Sequence, residues 1–354
     1  MTTKKSNSFI DTVPTSRRRA VLSWLITSAF FVFCMAVIGA VTRLTESGLS
    51  MVEWRPLIGA LPPMNEVEWN RVFSLYQQSP EYLYKNAGMS LPEFKEIFFW
   101  EWFHRLWGRL IGIVYAVPFF FFLARKYFNK AWVINFSCLL ILGGLQGLMG
   151  WYMVKSGLIN EPAVSHYRLA AHLSLAFIVF TILLYFAFDW MRLKTSIIRN
   201  FTPNRAGMAI IGLIMLALTI IWGAFVAGKD AGLIYNTFPK MGTSWLPSEL
   251  LFLEPAWLNI FENHATIQFT HRILAILTVV YLCYWSFKNW HESRLFKFIL
   301  FMALIQMSLG IATLLSHVWI PLAALHQAGA LILIGLVVAS LHQIQQNRLR
   351  EYNA

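Results

Sequence analysis

The sequence predicts an all-α integral membrane protein whose eight transmembrane helices form two pseudo-symmetric four-helix bundles. Three observations lead there. Charge is scarce: only 13% of residues are Asp, Glu, Lys or Arg, and 57% are hydrophobic, where a soluble domain carries about a quarter charged residues. Eight runs are long and apolar enough to span a bilayer, which takes about 20 residues each. The same signposts also recur in the same order in the first and second halves of the chain.

The spans are read at residues 20–41, 102–124, 131–154, 165–188, 206–228, 265–287, 298–316 and 320–342. The first follows Arg17-Arg18-Arg19 and resembles a secretory signal, but its uncharged stretch is too long for a signal core, so it reads as a retained anchor. Orientation follows from Lys and Arg. With the N-terminus inside, 17 of the 29 basic residues fall on inner segments, and the short inner loops such as Arg125-Lys126 are basic. Both termini are therefore expected on the cytoplasmic side. The net charge of +12 is then mostly topology, and nucleic acid is not needed to explain it. The expected divisions are a tail 1–19, an N-terminal half 20–188 with a long outer loop 43–101, a linker 189–205, a C-terminal half 206–342 and a tail 343–354. Cys34, Cys138 and Cys283 all lie in apolar runs, and no CxxC or CxxCH occurs, which argues against a loop disulfide and against covalent haem attachment.

The repeat can be followed residue by residue. Gly39-Ala40 is followed by Gly48-Leu49, and Gly223-Ala224 by Gly232-Leu233 at the same spacing, with Pro56 and Pro239 soon after. The second and sixth spans open with His104-Arg105 and His271-Arg272. The third and seventh carry Gln146 before Gly147 and Gln306 before Gly310. The fourth and eighth carry His172 and His326 among small residues.

Of nine histidines, His166, His264, His317, His291 and His342 read as interfacial or solvated. His104, His172, His271 and His326 are different. Each lies near the outer end of a span, His172 about 10 Å deep, and polar groups at that depth usually face the bundle interior with a partner. A closed zinc site wants about four ligands around one ion, whereas each half supplies two imidazoles and no cysteine. Two imidazoles on opposing helices suit the axial positions of a haem iron. Arg105 and Arg272 stand beside the first histidine of each pair. They are candidates for haem propionates, with snorkelling to headgroups the equal alternative.

The halves differ at one place. Glu101 precedes His104 by three residues, while Gln268 precedes His271 by three. On a helix these positions share a face. A carboxylate there can accept a proton from a reacting group; the plainer alternative is an interfacial carboxylate paired with Arg105. The first outer loop is rich in aromatics (Trp54, Trp69, Tyr76, Tyr82, Tyr84, Phe94, Phe98, Phe99). It is expected to be structured, either as a lid over the first site or packed on the membrane surface.

The stretches Thr42-Arg43-Leu44-Thr45-Glu46-Ser47-Gly48-Leu49-Ser50-Met51, Glu101-Trp102-Phe103-His104-Arg105-Leu106-Trp107-Gly108-Arg109 and Tyr167-Arg168-Leu169-Ala170-Ala171-His172 resemble the haem A synthase family, in its proteobacterial and mitochondrial branch. The resemblance spans nearly the whole chain. It implies oxidation of the C8 methyl of haem O to a formyl group by two successive hydroxylations. His104 and His172 would face the substrate iron, Glu101 would be the catalytic carboxylate, and His271 and His326 would be the axial ligands of a haem b. Arg43, Arg105, Arg109 and Arg272 are candidate propionate contacts. Some bacterial relatives carry a loop cysteine pair that this sequence lacks. The implied partners are the haem O synthase (protohaem farnesyltransferase), cytochrome c oxidase assembly factors and a membrane electron acceptor in the bacterial inner membrane, and a homo-oligomer is left open. Two other functions compete: a diheme b-type electron-transfer protein linked to quinone, and a haem transporter or chaperone, since internal repeats are common in transporters.

Overall fold

The computed structural model describes residues 9–53, 58–157, 164–191 and 204–352. Trp54, Pro56, most of the short loop 155–164 and most of the linker 189–205 lie outside the described residues. The described chain is helical, with a lone β-bridge between Met241 and Ser244. Eight helices are long and apolar enough to cross a membrane: Thr15–Leu44, Leu91–Ala124, Lys130–Lys155, His166–Met191, Ala206–Gly228, His264–Lys288, Arg294–Leu315 and Ile320–Asn347.

The second helix differs most from its expected start near Trp102, because it begins at Leu91. Hydropathy sees only the part of a helix that lipid surrounds, but the local chemistry starts it earlier. Ser90 donates its backbone N–H and its hydroxyl to the Glu93 carboxylate, each at 2.7 Å, and Pro92 sits in the first turn. This is a capping box with a proline where no amide is required. Glu101 therefore lies about three turns inside a helix rather than at its mouth.

Within each half, successive spans pack against one another and the fourth returns to the first. Across the halves, the first span meets the eighth, and the fourth meets both the fifth and the eighth. These are the contacts that two four-helix units sharing one seam would make. Side chains such as Ile113, Val117, Ile141, Ile214 and Val280 point outward and are exposed and apolar, as lipid-facing positions require. Lipid removes the hydrophobic drive between helices, so close packing and polar bonds hold the seam. Gly228 shows how tight it is: a Cβ there would fall 2.5 Å from His166 Cβ and 2.7 Å from its Cα.

Polar contacts cross the seam at both ends. Arg43 donates to Asp230 at 2.9 Å and to the Ala227 carbonyl at 2.6 Å. His166 Nε2 meets the Phe261 carbonyl at 2.9 Å, and Tyr167 and Lys229 both bind Glu262. At the far end His342 Nε2 meets Asp189 at 2.9 Å. His166 and His342 are thus buried seam residues, where the sequence suggested interfacial or solvated side chains. Spacing along the chain could not show that another helix would cover them.

The first long loop carries two short helices, Glu66–Tyr76 and Pro80–Tyr84, capped by Asn65 and Ser79. Tyr76, Phe94 and Phe98 form its buried core, with Trp69, Phe73 and Tyr82 packed around them. Tyr84, at the end of the second short helix, and Phe99, on the second transmembrane helix, stay exposed.

Candidate functional site

His104, His172, His271 and His326 all lie deep among the helices, toward the end that carries the long loops. Each is partly buried, with some of its surface accessible. His104 and His172 are close enough to interact electrostatically, and so are His271 and His326. The donors therefore come as two pairs, one per half.

Each imidazole rests on a glycine of the preceding span. A Cβ on Gly39 would lie 3.1 Å from His104 Cε1, and one on Gly150 would lie 3.0 Å from His172 Cε1. The matching distances are 3.0 Å from Gly223 to His271 and 2.8 Å from Gly310 to His326. Any side chain at these positions would enter the space the ring occupies. The repeat made Gly147 the mate of Gly310, but the structure assigns that part to Gly150, since nothing lies within 4 Å of a Cβ at Gly147.

One turn before three of these glycines sits a residue that can brace the ring. His271 Nδ1 lies 3.1 Å from the Thr219 carbonyl. That carbonyl can only accept, so Nδ1 carries the proton and Nε2 keeps its lone pair for a metal, the usual outer-shell arrangement of a histidine ligand. Gln146 Nε2 lies 3.2 Å from His172 Nδ1. Gln306 Nε2 lies 3.2 Å from His326 Nδ1 and donates to the His326 carbonyl at 2.9 Å. His104 is the exception, since its buried Nδ1 has no hydrogen-bond partner among the described residues. The first ligand of the second half is thus braced by a carbonyl, whereas its counterpart in the first half is not.

Glu101 is 2% exposed and bonded both to the first long loop and to Arg105 on its own helix. Its Oε2 accepts from Ser50 Oγ at 2.7 Å and from the Met51 amide at 2.6 Å, and its Oε1 accepts from Arg105 at 2.5 Å. The pairing with Arg105 is the one the plainer reading expected, but the pair is buried rather than interfacial. About one of the four acceptor positions of a carboxylate is left over. Arg105 also donates to the carbonyls of Met51 and Glu53.

The second half repeats this framework with the polarity changed. Arg272 donates to the carbonyls of Tyr235 and Thr237, the counterparts of Met51 and Glu53. Gln268 Nε2 donates to the Tyr235 carbonyl at 3.1 Å, where Glu101 instead accepts from the Met51 amide. The Ser50 hydroxyl corresponds to the apolar Ile234. The same backbone frame thus holds a carboxylate in one half and an amide in the other.

Among the candidate propionate contacts, Arg105 and Arg272 direct donors into the loops and Arg43 binds across the seam. Arg109 lies one helical turn beyond Arg105 on the second span. The first loop reaches the first site through Ser50, Met51 and Glu53. The two sites also meet at the seam: Gln327, next to His326, donates to the Ala36 carbonyl at 2.8 Å, one turn before Gly39. The spacing Gln-x3-Gly in the third and seventh spans was the available sign of the glycine seats. The Ser50 and Thr219 contacts left no such sign.

The residues fit a porphyrin held between paired helices. Two imidazoles lie within electrostatic reach of each other in each half, glycines clear the space for their rings, and His271 presents an oriented lone pair. The chain matches the family described as "Cytochrome oxidase assembly protein" over residues 22–338. It is 48% identical over 336 residues to "Heme A synthase" of Rhodospirillum centenum, covering 92% of this chain and 89% of that one. It is 45% identical to "Heme A synthase" of Parvibaculum lavamentivorans, over 93% and 95% of the two chains. Against "Heme A synthase" of Agrobacterium fabrum the identity is 42%, over 91% and 89%.

Proposed function

This chain belongs to the cytochrome oxidase assembly protein family, and from that premise we propose that it is a membrane oxidoreductase making haem A from haem O. The observation that carries the reading is Glu101. It is a buried carboxylate one turn from His104, and its place in the otherwise matching second half is taken by the amide Gln268.

In this reading His104 and His172 hold the substrate iron, while His271 and His326 hold a resident haem b. That haem supplies one-electron redox chemistry when bound. The C8 methyl of haem O becomes a formyl group through two hydroxylations and loss of water. The net change takes up one water and releases four electrons and four protons. With both histidines held on the substrate iron, no position would remain there for oxygen, and water would be the nucleophile. Labelled water should then deliver its oxygen to the formyl group, and label arriving only from dioxygen would refute this.

This chain's own residues bind, orient and move protons. Ser50, Met51 and Arg105 fix the Glu101 carboxylate, and its remaining acceptor position can take a proton from the reacting carbon or the attacking water. The loop above it limits the access of bulk water. The carbonyl brace on His271 suits a permanent ligand, and the unbraced His104 suits a site that must load and release. Electrons leave toward the second half and a membrane acceptor. The haem O synthase would supply the substrate, cytochrome c oxidase assembly would consume the product, and the sites would lie toward the outer face of the bacterial inner membrane.

The test is conversion of haem O by the purified protein, with pigment extracted and separated. Haem b together with haem O or haem A supports the synthase, while two haem b per chain would support the electron-transfer protein. Glu101→Gln, which copies the second half, should keep its haem and lose conversion by about a hundredfold or more. Full activity in that variant would remove the carboxylate from the reaction.

A further inference from the structure

One buried carboxylate outside the spans has no part in the reaction as described so far. Glu81, in the short helix Pro80–Tyr84, is 4% exposed. Tyr76 donates its hydroxyl proton to Glu81 at 3.1 Å, and Asn86 donates to the Tyr76 oxygen at 2.7 Å. The chain of donors therefore points at the carboxylate. Tyr76 belongs to the aromatic core that packs on the second span through Phe94 and Phe98, the segment leading into Glu101. Glu101 is near enough to act electrostatically on both Tyr76 and Glu81.

Four charged or titratable groups face Glu81: Tyr76, Glu101, Lys85 and Glu46. Burial raises its pKa to about 7; Tyr76 and Lys85 oppose the rise, and Glu101 and Glu46 add to it. Lys85 and Glu46 form a loose pair at 3.7 Å, with side chains 38% and 48% exposed. Acidic groups thus run from Glu101, sealed under the loop, through Glu81, also enclosed, to Glu46 at the surface. In the second half Gln268 interrupts such a series at its first member.

The proposed oxidation releases protons beside Glu101, which is buried and bonded to Ser50, Met51 and Arg105, and these protons must leave. We propose that Glu81, positioned by Tyr76, is the relay that accepts protons from the Glu101 site, through water, and releases them at the Glu46–Lys85 surface. The step is proton transfer alone: the Glu81 carboxylate becomes a carboxylic acid and then returns to carboxylate, with no change of oxidation state. The proposal rests on the synthase reading. A relay poised near neutral pH can both take and give up a proton at little cost, whereas an ordinary surface glutamate would not hold one.

The test compares the full-length, haem-loaded wild type with Glu81→Gln, a change of nearly equal size that leaves Tyr76 a partner. Infrared difference spectra across a pH titration should show a protonated-carboxyl band lost with a midpoint near 7 in the wild type and missing in the variant. Tyr76→Phe removes a bond that lowers the Glu81 pKa, so the midpoint should move up. Wild-type conversion should rise with pH through the same range. The variant should be at least about tenfold slower and lack that limb, with haem content unchanged, and Glu81→Asp should restore part of it. An unchanged rate and pH profile in Glu81→Gln, or a wild type without the titrating band, overturns the relay while the synthase reading stands. A wild type that makes no haem A overturns that reading and the relay with it.

Discussion

Replacing Gly310 by alanine tests the glycine seats directly. The added Cβ would lie 2.8 Å from His326 Cε1, 3.4 Å from Nδ1 and 3.5 Å from Nε2. Ordinary contact begins near 3.4 Å, so the ring must withdraw by about 0.6 Å. Gln306, one turn before Gly310 on the same helix, lies 3.2 Å from Nδ1, and its Oε1 packs on Gly329, where a Cβ would fall 2.2 Å away. Overpacking of this kind costs about 1–3 kcal/mol, and a ligand geometry tolerates only about 0.5 Å of error. If the cost falls on haem retention, the variant should hold haem b about fivefold to about 150-fold more weakly, at about 1.4 kcal/mol per tenfold. The assay is haem extracted per chain after competitive removal, together with the reduced-minus-oxidised spectrum. Gly147→Ala is the control: it makes the same change, but on the third span and with nothing within 4 Å. Full haem content and an unchanged spectrum in Gly310→Ala would refute the seat as a requirement for the ligand.

Two further outcomes follow. Ser50→Ala removes one of the three donors to Glu101, a charge-assisted bond worth about 1.5–3 kcal/mol. It should slow conversion by about tenfold or more while haem content stays at the wild-type level, and a variant that loses haem instead would show that Ser50 supports the fold. Gly228→Ala forces the fourth and fifth spans apart, because the clash reaches the His166 backbone. It should lower the thermal midpoint in detergent by the equivalent of about 1–3 kcal/mol, and a midpoint equal to the wild type would refute the close approach of the two spans at Gly228.

The eight spans were legible because the bilayer imposes length and composition on any helix that crosses it, leaving little else to specify. The four histidines were legible for a related reason: an imidazole inside a span is costly, so its presence calls for a partner. The boundary of the second helix was not, because the Ser90–Glu93 box that extends it lies outside the lipid, where hydropathy carries no information. His166 and His342 were misread because their cover comes from other helices.

Glu101 shows where the division falls. Its offset from His104, and the amide at the same offset from His271, are written in the order of residues, because helical periodicity places both on the same helix face. That the carboxylate is sealed from solvent and bonded to Ser50 and Met51 depends on a loop folding back about fifty residues along the chain. The sequence by itself determined the spans, the repeat and the paired histidines, since each follows from local pattern in a uniform solvent. Only the tertiary structure decided which glycine seats each imidazole, which histidine is braced and which carboxylate is buried, because those depend on contacts between segments far apart in the chain.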